Sequence, residues 1–261
     1  MKKLTVRDIQ ELKGRQPITA LTAYDAIMAR LASEAGIDLL LVGDSVGTTY
    51  LGFETTLPVT LDMMVHHTAC AARVCPHSLL VADVPFPEGR LKGNGLLKAC
   101  ARLIQEGGAE AVKLEGGEAI APKVEQLVEA GIPVLGHIGL LPQQVNVLGG
   151  YRKFGSTPEE SQALRKDAAA LEAAGVFAIV GEMIEPEVAA EIAKALRVPF
   201  IGIGCGPHCD GQILVTPDLL GLTMGNVPSF VEPFADLKKT VHGAFTAYAE
   251  AVRKRTYPSL K

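Results

Sequence analysis

EAGIDLLLVGDS (34–45), EGGAEAVKLEGG (106–117), EAGIPVLGHIG (129–139) and AAGVFAIVGEM (173–183) repeat one phrase along the chain. In each, a helix-like stretch ends at glycine and a short β-rich apolar run follows. Glycine suits the position just past a helix, where a left-handed conformation is needed. The runs that follow are nearly continuous in Val, Ile, Leu and Ala, the pattern of parallel strands covered on both faces. What recurs is an αβ unit rather than a sequence.

Working outward, ITALTAY (18–24), LLVADVPF (79–86), PFIGIGCG (199–206) and QILVTPDLLG (212–221) bring the candidate strands to eight. Helical patterns fill most of the gaps, over 58–74, 96–106, 118–130, 158–174 and 185–196. Eight αβ units favour a closed (β/α)8 TIM barrel, with an open doubly wound sheet as the alternative. Residues 207–211 are too few for a helix between the last two strands. Either a short crossover replaces that helix or the eighth strand lies elsewhere. Thr5-Val6-Arg7-Asp8 has the form of a capping box ahead of Ile9 and Leu12 and predicts a short helix closing the barrel bottom. An amphipathic helix is expected over 235–254, and no linker interrupts the chain, so residues 1–261 read as one domain.

At 261 residues, 48% apolar and 21% charged, the chain can bury a core of barrel size. A net charge of −4 argues against a nucleic-acid surface. No apolar run approaches the roughly 20 residues that span a bilayer. Met1-Lys2-Lys3-Leu4 leads into polar residues, and the five cysteines are odd in number and scattered. The expectation is a cytoplasmic protein with reduced thiols.

Barrel active sites lie at the C-terminal ends of the strands, so polar residues there carry information. They are Asp44 and Ser45, Asp83, Lys113 and Glu115, His137, and Glu182. Any one of the acids could be a helix cap or first-turn residue. Four of them at the same end of four strands point to convergence on a site. Asp44, Asp83 and Glu115 offer hard oxygens without paired His or Cys, which suits Mg2+ better than Zn2+. Such an ion leaves positions open for the carboxylate and keto oxygen of a 2-oxo acid and stabilises charge on the keto oxygen during enolisation. Lys113 adds a second positive charge or pairs with Glu115 or Asp83; Ser45 adds a donor, and Glu182, across the barrel, is the candidate base.

Other features carry less. GIGCG (202–206) serves either as an anion cradle or for close packing at a strand end. Cys205, His208 and Cys209 lack a fourth zinc ligand, and His66, His67, Cys70, Cys75 and Cys100 suit packing or surface roles.

The strand-end segments resemble the 3-methyl-2-oxobutanoate (ketopantoate) hydroxymethyltransferase family over about residues 3–257. The resemblance rests on LTAYD (21–25), LLVGDSVG (40–47), TTLPVTLD (55–62), VADVPF (81–86), AVKLEGG (111–117), GHIGLLPQ (136–143), LGGY (148–151), ALEAAG (170–175), GIGCG (202–206) and DGQILV (210–215). It implies a barrel of the phosphoenolpyruvate/pyruvate superfamily type, assembled as a homo-oligomer, usually a decamer. It also implies one-carbon transfer from 5,10-methylenetetrahydrofolate to 3-methyl-2-oxobutanoate, giving 2-dehydropantoate in pantothenate biosynthesis through a Mg2+-stabilised enolate. By the same resemblance Asp44 and Asp83 ligate Mg2+, Glu115 holds it through water, and Ser45, Asp83 and Lys113 contact the oxo acid. His137 lies in the substrate pocket, and Glu182 removes the C3 proton. The chain departs from the family pattern at Gly181 and Met183, at Pro87-Glu88-Gly89-Arg90, at Gly204-Cys205-Gly206 and at Thr216-Pro217-Asp218. Two other functions fit less well. A lyase of the isocitrate lyase type would carry a KKCGH element, which is missing, and a barrel that only binds a metabolite needs no separate base.

Overall fold

Thr5 Oγ1 accepts the Asp8 N–H, and the Asp8 carboxylate accepts from the Thr5 N–H at 2.8 Å. This reciprocal pair starts helix α1 (Val6–Leu12), as the capping-box pattern leads one to expect. Ile9 projects from α1 into complete burial, in one cluster with Ile18, Ala20, Leu39 and Leu79. All four lie at or near the starts of their strands, so α1 plugs the bottom of the barrel. The computed structural model describes residues 2–91, 94–150 and 152–259.

The strands are β1 (Ile18–Thr22), β2 (Leu39–Val42), β3 (Leu79–Asp83), β4 (Ala111–Glu115), β5 (Val134–Gly139), β6 (Ala178–Glu182), β7 (Phe200–Ile203) and β8 (Gly211–Leu214). Each pairs in parallel with the next, and β8 pairs with β1 to close the barrel. The closed alternative is therefore the one adopted. Helices α2 (Ala26–Glu34), α3 (Leu61–Ala72), α4 (Gly95–Gln105), α5 (Ala121–Glu129), α6 (Pro158–Ala173) and α7 (Pro186–Ala195) occupy the successive crossovers. The helix pattern in the sequence located all of α3–α7 to within a few residues.

Side-chain alternation divides the core into two shells. Ile18, Leu39, Leu41, Leu79, Val81, Leu135, Val180, Ile201 and Ile213 fill the barrel. Leu40, Val42, Leu80, Val112, Val134, Ile179 and Phe200 pack outward against the helices. Both faces are apolar, which is why the strands read as unbroken apolar runs.

Between β7 and β8, residues 204–210 form no helix, so the chain takes the short crossover. Asp210 makes this possible. Its carboxylate accepts the Phe200 N–H at 2.8 Å and the Lys13 ammonium, while its carbonyl accepts the Ile18 N–H at 2.9 Å. One residue thus ties the starts of β7 and β1. The apolar run expected to continue to 221 stops as strand at Leu214; Thr216–Leu219 is a helical turn with Pro217 in its first turn, where a missing N–H does no harm.

The chain forms two compact units, 1–214 with the barrel and 215–261. Met1, Leu260 and Lys261 lie outside the described residues. Within the second unit the expected amphipathic helix is α8 (Leu237–Arg253), capped by the Asp236 side chain on the Lys239 N–H. Among the described residues no helix is long and apolar enough to cross a membrane.

Replacing Ile9 by Ala should leave a cavity at the barrel floor and destabilise the fold by about 2–5 kcal/mol. Urea unfolding measures it, and an unchanged midpoint would mean that α1 is not a plug.

Candidate active site

Parallel register sets the inner layer at the C-terminal mouth. Asp83 on β3 lies opposite Lys113 on β4, and Glu115 on β4 lies opposite His137 on β5. Partners in a parallel register point to the same face, so all four side chains enter the barrel. Glu182, two residues beyond the inward Val180, ends β6 on that face, opposite Gly139, which has no side chain to compete for the space.

Asp44 arrives differently. Continuing the alternation of β2 would turn it outward, but the strand ends at Val42. Gly43 carries the turn: a Cβ there would sit 2.8 Å from Ser45 Oγ. The Asp44 N–H then donates to Asp83 Oδ2 at 3.3 Å, and Ser45 Oγ lies 2.8 Å from the hydroxyl of buried Tyr24. The geometry therefore brings Asp44, Asp83, Lys113, Glu115, His137 and Glu182 into one connected cluster. Ser45 stands at its edge, half-buried.

Lys113 Nζ donates to both oxygens of Asp83, at 2.8 and 2.7 Å, and lies 3.8 Å from Glu115 Oε1. His137 sits between two acids, with Nδ1 3.6 Å from Glu115 Oε1 and Nε2 3.3 Å from Glu182 Oε2. These are charge contacts rather than aligned hydrogen bonds. Among the described residues, both ring nitrogens and Glu115 Oε1 are buried without a hydrogen-bond partner. Glu182 is the most open of the cluster's acids, with 21% of its side chain exposed.

Burial pushes Asp44 well above the usual carboxylate range, and the negative charges of Asp83 and Glu115 push it further. Burial also raises Asp83, against the pull of Lys113. For Glu115 burial acts upward too, but His137 and Lys113 outweigh it and the carboxyl is lowered. Burial opposes charge on Lys113, yet Asp83, Glu115 and Asp44 raise its ammonium above the ordinary value. Burial and Lys113 likewise disfavour imidazolium at His137, but Glu115 and Glu182 prevail and lift it to about 9.

Among the described residues, four acids thus face one lysine and one histidine, and Asp44 is the acid without a cation in direct contact. That charge balance, the hard oxygens and the partnerless Glu115 Oε1 suit a divalent ion such as Mg2+. Among the described residues no three Asp, Glu, His or Cys side chains are already drawn around a common point. Lys113 donates to both oxygens of Asp83, so a cation on Asp83 would share that carboxylate with the ammonium.

Gln143, buried just beyond β5, is a site residue that the strand-end reading missed. Its Nε2 donates to Asp44 Oδ2 at 2.8 Å and to the Val84 carbonyl at 2.9 Å, and its backbone N–H donates to Glu115 Oε2 at 3.1 Å. The available signal was a polar residue one position after a proline that follows a strand.

The departures from the family pattern are mostly explained by packing. Gly181 faces outward, and a Cβ there would lie 2.2 Å from the Phe200 ring, so the missing side chain makes room for that ring. Met183 is left-handed at φ 51° and is held by bonds from its N–H to the Ile203 carbonyl and from the Phe154 N–H to its own carbonyl. Cys205 is buried, donates to the Gly181 carbonyl at 3.0 Å and accepts the Ile184 N–H at 3.3 Å. It thereby fixes the chain on both sides of Glu182. His208 is exposed, away from any such role. Glu88–Arg90 form one 3-10 turn in the loop after β3. Tyr151 of the LGGY segment lies outside the described residues.

A buried cluster of acidic and basic side chains at the C-terminal mouth of a closed parallel barrel is the build of an enzyme. The fold is shared with solved structures, among them a member of the phosphoenolpyruvate mutase/isocitrate lyase superfamily. 2,3-Dimethylmalate lyase of that superfamily superposes with a TM-score of 0.60 at 18% identity, over 99% of this chain and 90% of the other. Phosphonopyruvate hydrolase, in complex with oxalate and Mg2+, gives a TM-score of 0.63 at 14% identity, over 96% and 88%. The ketopantoate hydroxymethyltransferase model matches residues 3–260, and this chain belongs to that family. The 3-methyl-2-oxobutanoate hydroxymethyltransferase of Thermoanaerobacter sp. (strain X514) is 48% identical over 255 residues, covering 98% of this chain and 92% of the relative.

Because the His137 value is raised from 6.5 to about 9, imidazolium stabilises the fold fully below about pH 6.5, and that contribution fades as pH rises through about 9. In metal-free protein, His137→Gln should therefore be less stable than the parent at the acid end. This part of the difference should vanish above pH 9. Urea midpoints across the range test it, and a difference that grows with pH would reverse the assignment.

Proposed function

We infer that this chain transfers a hydroxymethyl unit from 5,10-methylenetetrahydrofolate to 3-methyl-2-oxobutanoate, forming 2-dehydropantoate, with Mg2+ as its metal. Family membership supports hydroxymethyl transfer in pantothenate biosynthesis, and the name of the Thermoanaerobacter relative supplies the oxo acid. The observation that carries the reading at the level of residues is the chain of inward contacts from Asp83 through Lys113, Glu115 and His137 to Glu182. It supports a site in which the Lys113 ammonium meets an anion while the Glu182 carboxylate accepts a proton.

Asp44 and Asp83 are the residues to hold the Mg2+, with Glu115 supporting it through water. A structural relative that holds Mg2+ with oxalate, a small dicarboxylate, supports this choice of ion. When bound, the ion adds positive charge that stabilises negative charge developing on the keto oxygen. Lys113 supplies a second positive charge there, and Ser45, positioned by Tyr24, supplies a hydrogen-bond donor. Glu182 accepts the C3 proton, and the electron pair left behind shifts toward the keto group. C3 is then the nucleophile toward a one-carbon unit whose bonds to the folate nitrogens break; water supplies the hydroxyl oxygen, and tetrahydrofolate leaves. His137 holds the Glu182 carboxylate in place from within the barrel. The folate rests on the family resemblance alone.

Five unpaired cysteines are consistent with a cytoplasmic setting. Ile27 and Leu31, one turn apart on α2 and 69% and 57% exposed, support a homo-oligomer, with the decamer of the family as the specific inference.

Glu182→Gln should lower turnover by about 10²–10⁴-fold, as expected for loss of a general base. It should also abolish deuterium exchange at C3 while the oxo acid still binds. Exchange at the parental rate would remove Glu182 as the base. Metal-loaded parent enzyme that forms no 2-dehydropantoate from both substrates would remove the activity itself.

A further inference from the structure

We propose that Gln143 is a positioning residue that orients Asp44, which meets the cation directly, and Glu115, which meets it through water. The proposal rests on the Mg2+ reading above and deepens it.

Gln143 follows Pro142 in a single 3-10 turn after β5, and only 5% of it is exposed. A primary amide has two N–H donors, and both of its hydrogens have acceptors here: Asp44 Oδ2 at 2.8 Å and the Val84 carbonyl at 2.9 Å. Its backbone N–H meets Glu115 Oε2 at 3.1 Å. One residue therefore reaches the ends of β2, β3 and β4 from the loop after β5. Val84 immediately follows β3, so its carbonyl is a fixed backbone anchor. The amide is held there, and Asp44 is held by the amide.

The two carboxylates are gripped in the same way, each by one oxygen. With one hydrogen bond on Asp44 Oδ2 and one on Glu115 Oε2, the freer oxygens are Asp44 Oδ1, for the ion, and Glu115 Oε1, for the water through which Glu115 supports it. Glu115 Oε1 is a buried atom without a hydrogen-bond partner, the signature of an acceptor waiting for something the protein does not supply. Lys113 and His137 lie 3.8 and 3.6 Å from it, too far to satisfy it.

Chemistry explains why an amide occupies this place. A lysine or arginine would orient Asp44 equally well but would neutralise it, as Lys113 does for Asp83. A glutamine aligns the carboxylate and leaves its charge unspent, so Asp44 remains the acid in need of a cation. The site thus assigns different work to two neighbouring donors. Lys113 holds charge for the oxo acid, and Gln143 holds geometry for the metal. Groups that hydrogen-bond to metal ligands in this way typically contribute 10–100-fold to affinity.

The test is calorimetric titration of the metal-free full-length protein with Mg2+, comparing the parent, Gln143→Met, Gln143→Asn and Asp44→Asn. Methionine keeps the volume and removes the donors; asparagine keeps the amide but withdraws it by one methylene. Both should raise the Mg2+ dissociation constant by about 10–100-fold. Excess Mg2+ should restore kcat to within a few-fold of the parent while KM for the oxo acid changes little, a recovery that a merely structural defect would not show. Should the methionine variant not fold, the asparagine variant decides. Parental Mg2+ affinity in a folded Gln143 variant, with affinity lost in Asp44→Asn, overturns the proposal and leaves the metal reading intact. Parental affinity in Asp44→Asn overturns the metal reading, and the proposal falls with it.

Discussion

The ammonium of Lys113 is buried inside the barrel, and the contact that makes this tolerable is its double hydrogen bond to Asp83. Removing a charge from water costs several kcal/mol even after relaxation, and it is offset only when geometry is good on both sides. The β3–β4 register provides that geometry by setting Lys113 directly beside Asp83. The rest of the mouth follows from this pair. Glu115 is two residues further along the same strand, His137 faces Glu115 across β4–β5, and Glu182 lies at the end of β6 beyond His137. Shifting any one of these strands by one residue would send its charged group out among the helices.

A buried ionic layer also needs rigid support, and several apolar or neutral residues provide it. Gly181 yields its side-chain space to Phe200, which locks β6 against β7. Cys205 grips the backbone on both sides of Glu182, and the bonds of Met183 hold a left-handed turn right after it. Burial raises the Cys205 thiol to about 11, so it serves as a packed hydrogen-bonding group rather than a nucleophile. These residues are departures from the family pattern, yet they act on the backbone that carries Glu182 and leave its carboxylate alone.

Much of the site was legible because strand ends in a barrel converge by construction. Asp44, Asp83, Lys113, Glu115, His137 and Glu182 each interrupt an apolar run, and the structure gathers all six. Gln143 was not legible, because it lies in a loop, where polar residues are the norm and periodicity says nothing. The orientation of Asp44 was hidden for a related reason. Strict alternation points it outward, and only the turn at Gly43 brings it back. The helixless crossover before β8 was visible as a shortage of residues, but the role of Asp210 in sustaining it needed contacts between segments nearly 200 residues apart in sequence.

By itself, the sequence determined the αβ repeat, the capped plug helix, the eight strands and the set of strand-end acids. These depend on periodicity and local backbone preference, which act over a few residues. Tertiary structure alone decided that Lys113 takes both oxygens of Asp83, that His137 stands between Glu115 and Glu182, and that Gln143 ties Asp44 to Glu115. Those facts depend on register and on distances between segments far apart in the chain, and charge interactions change sharply over an ångström once water is excluded.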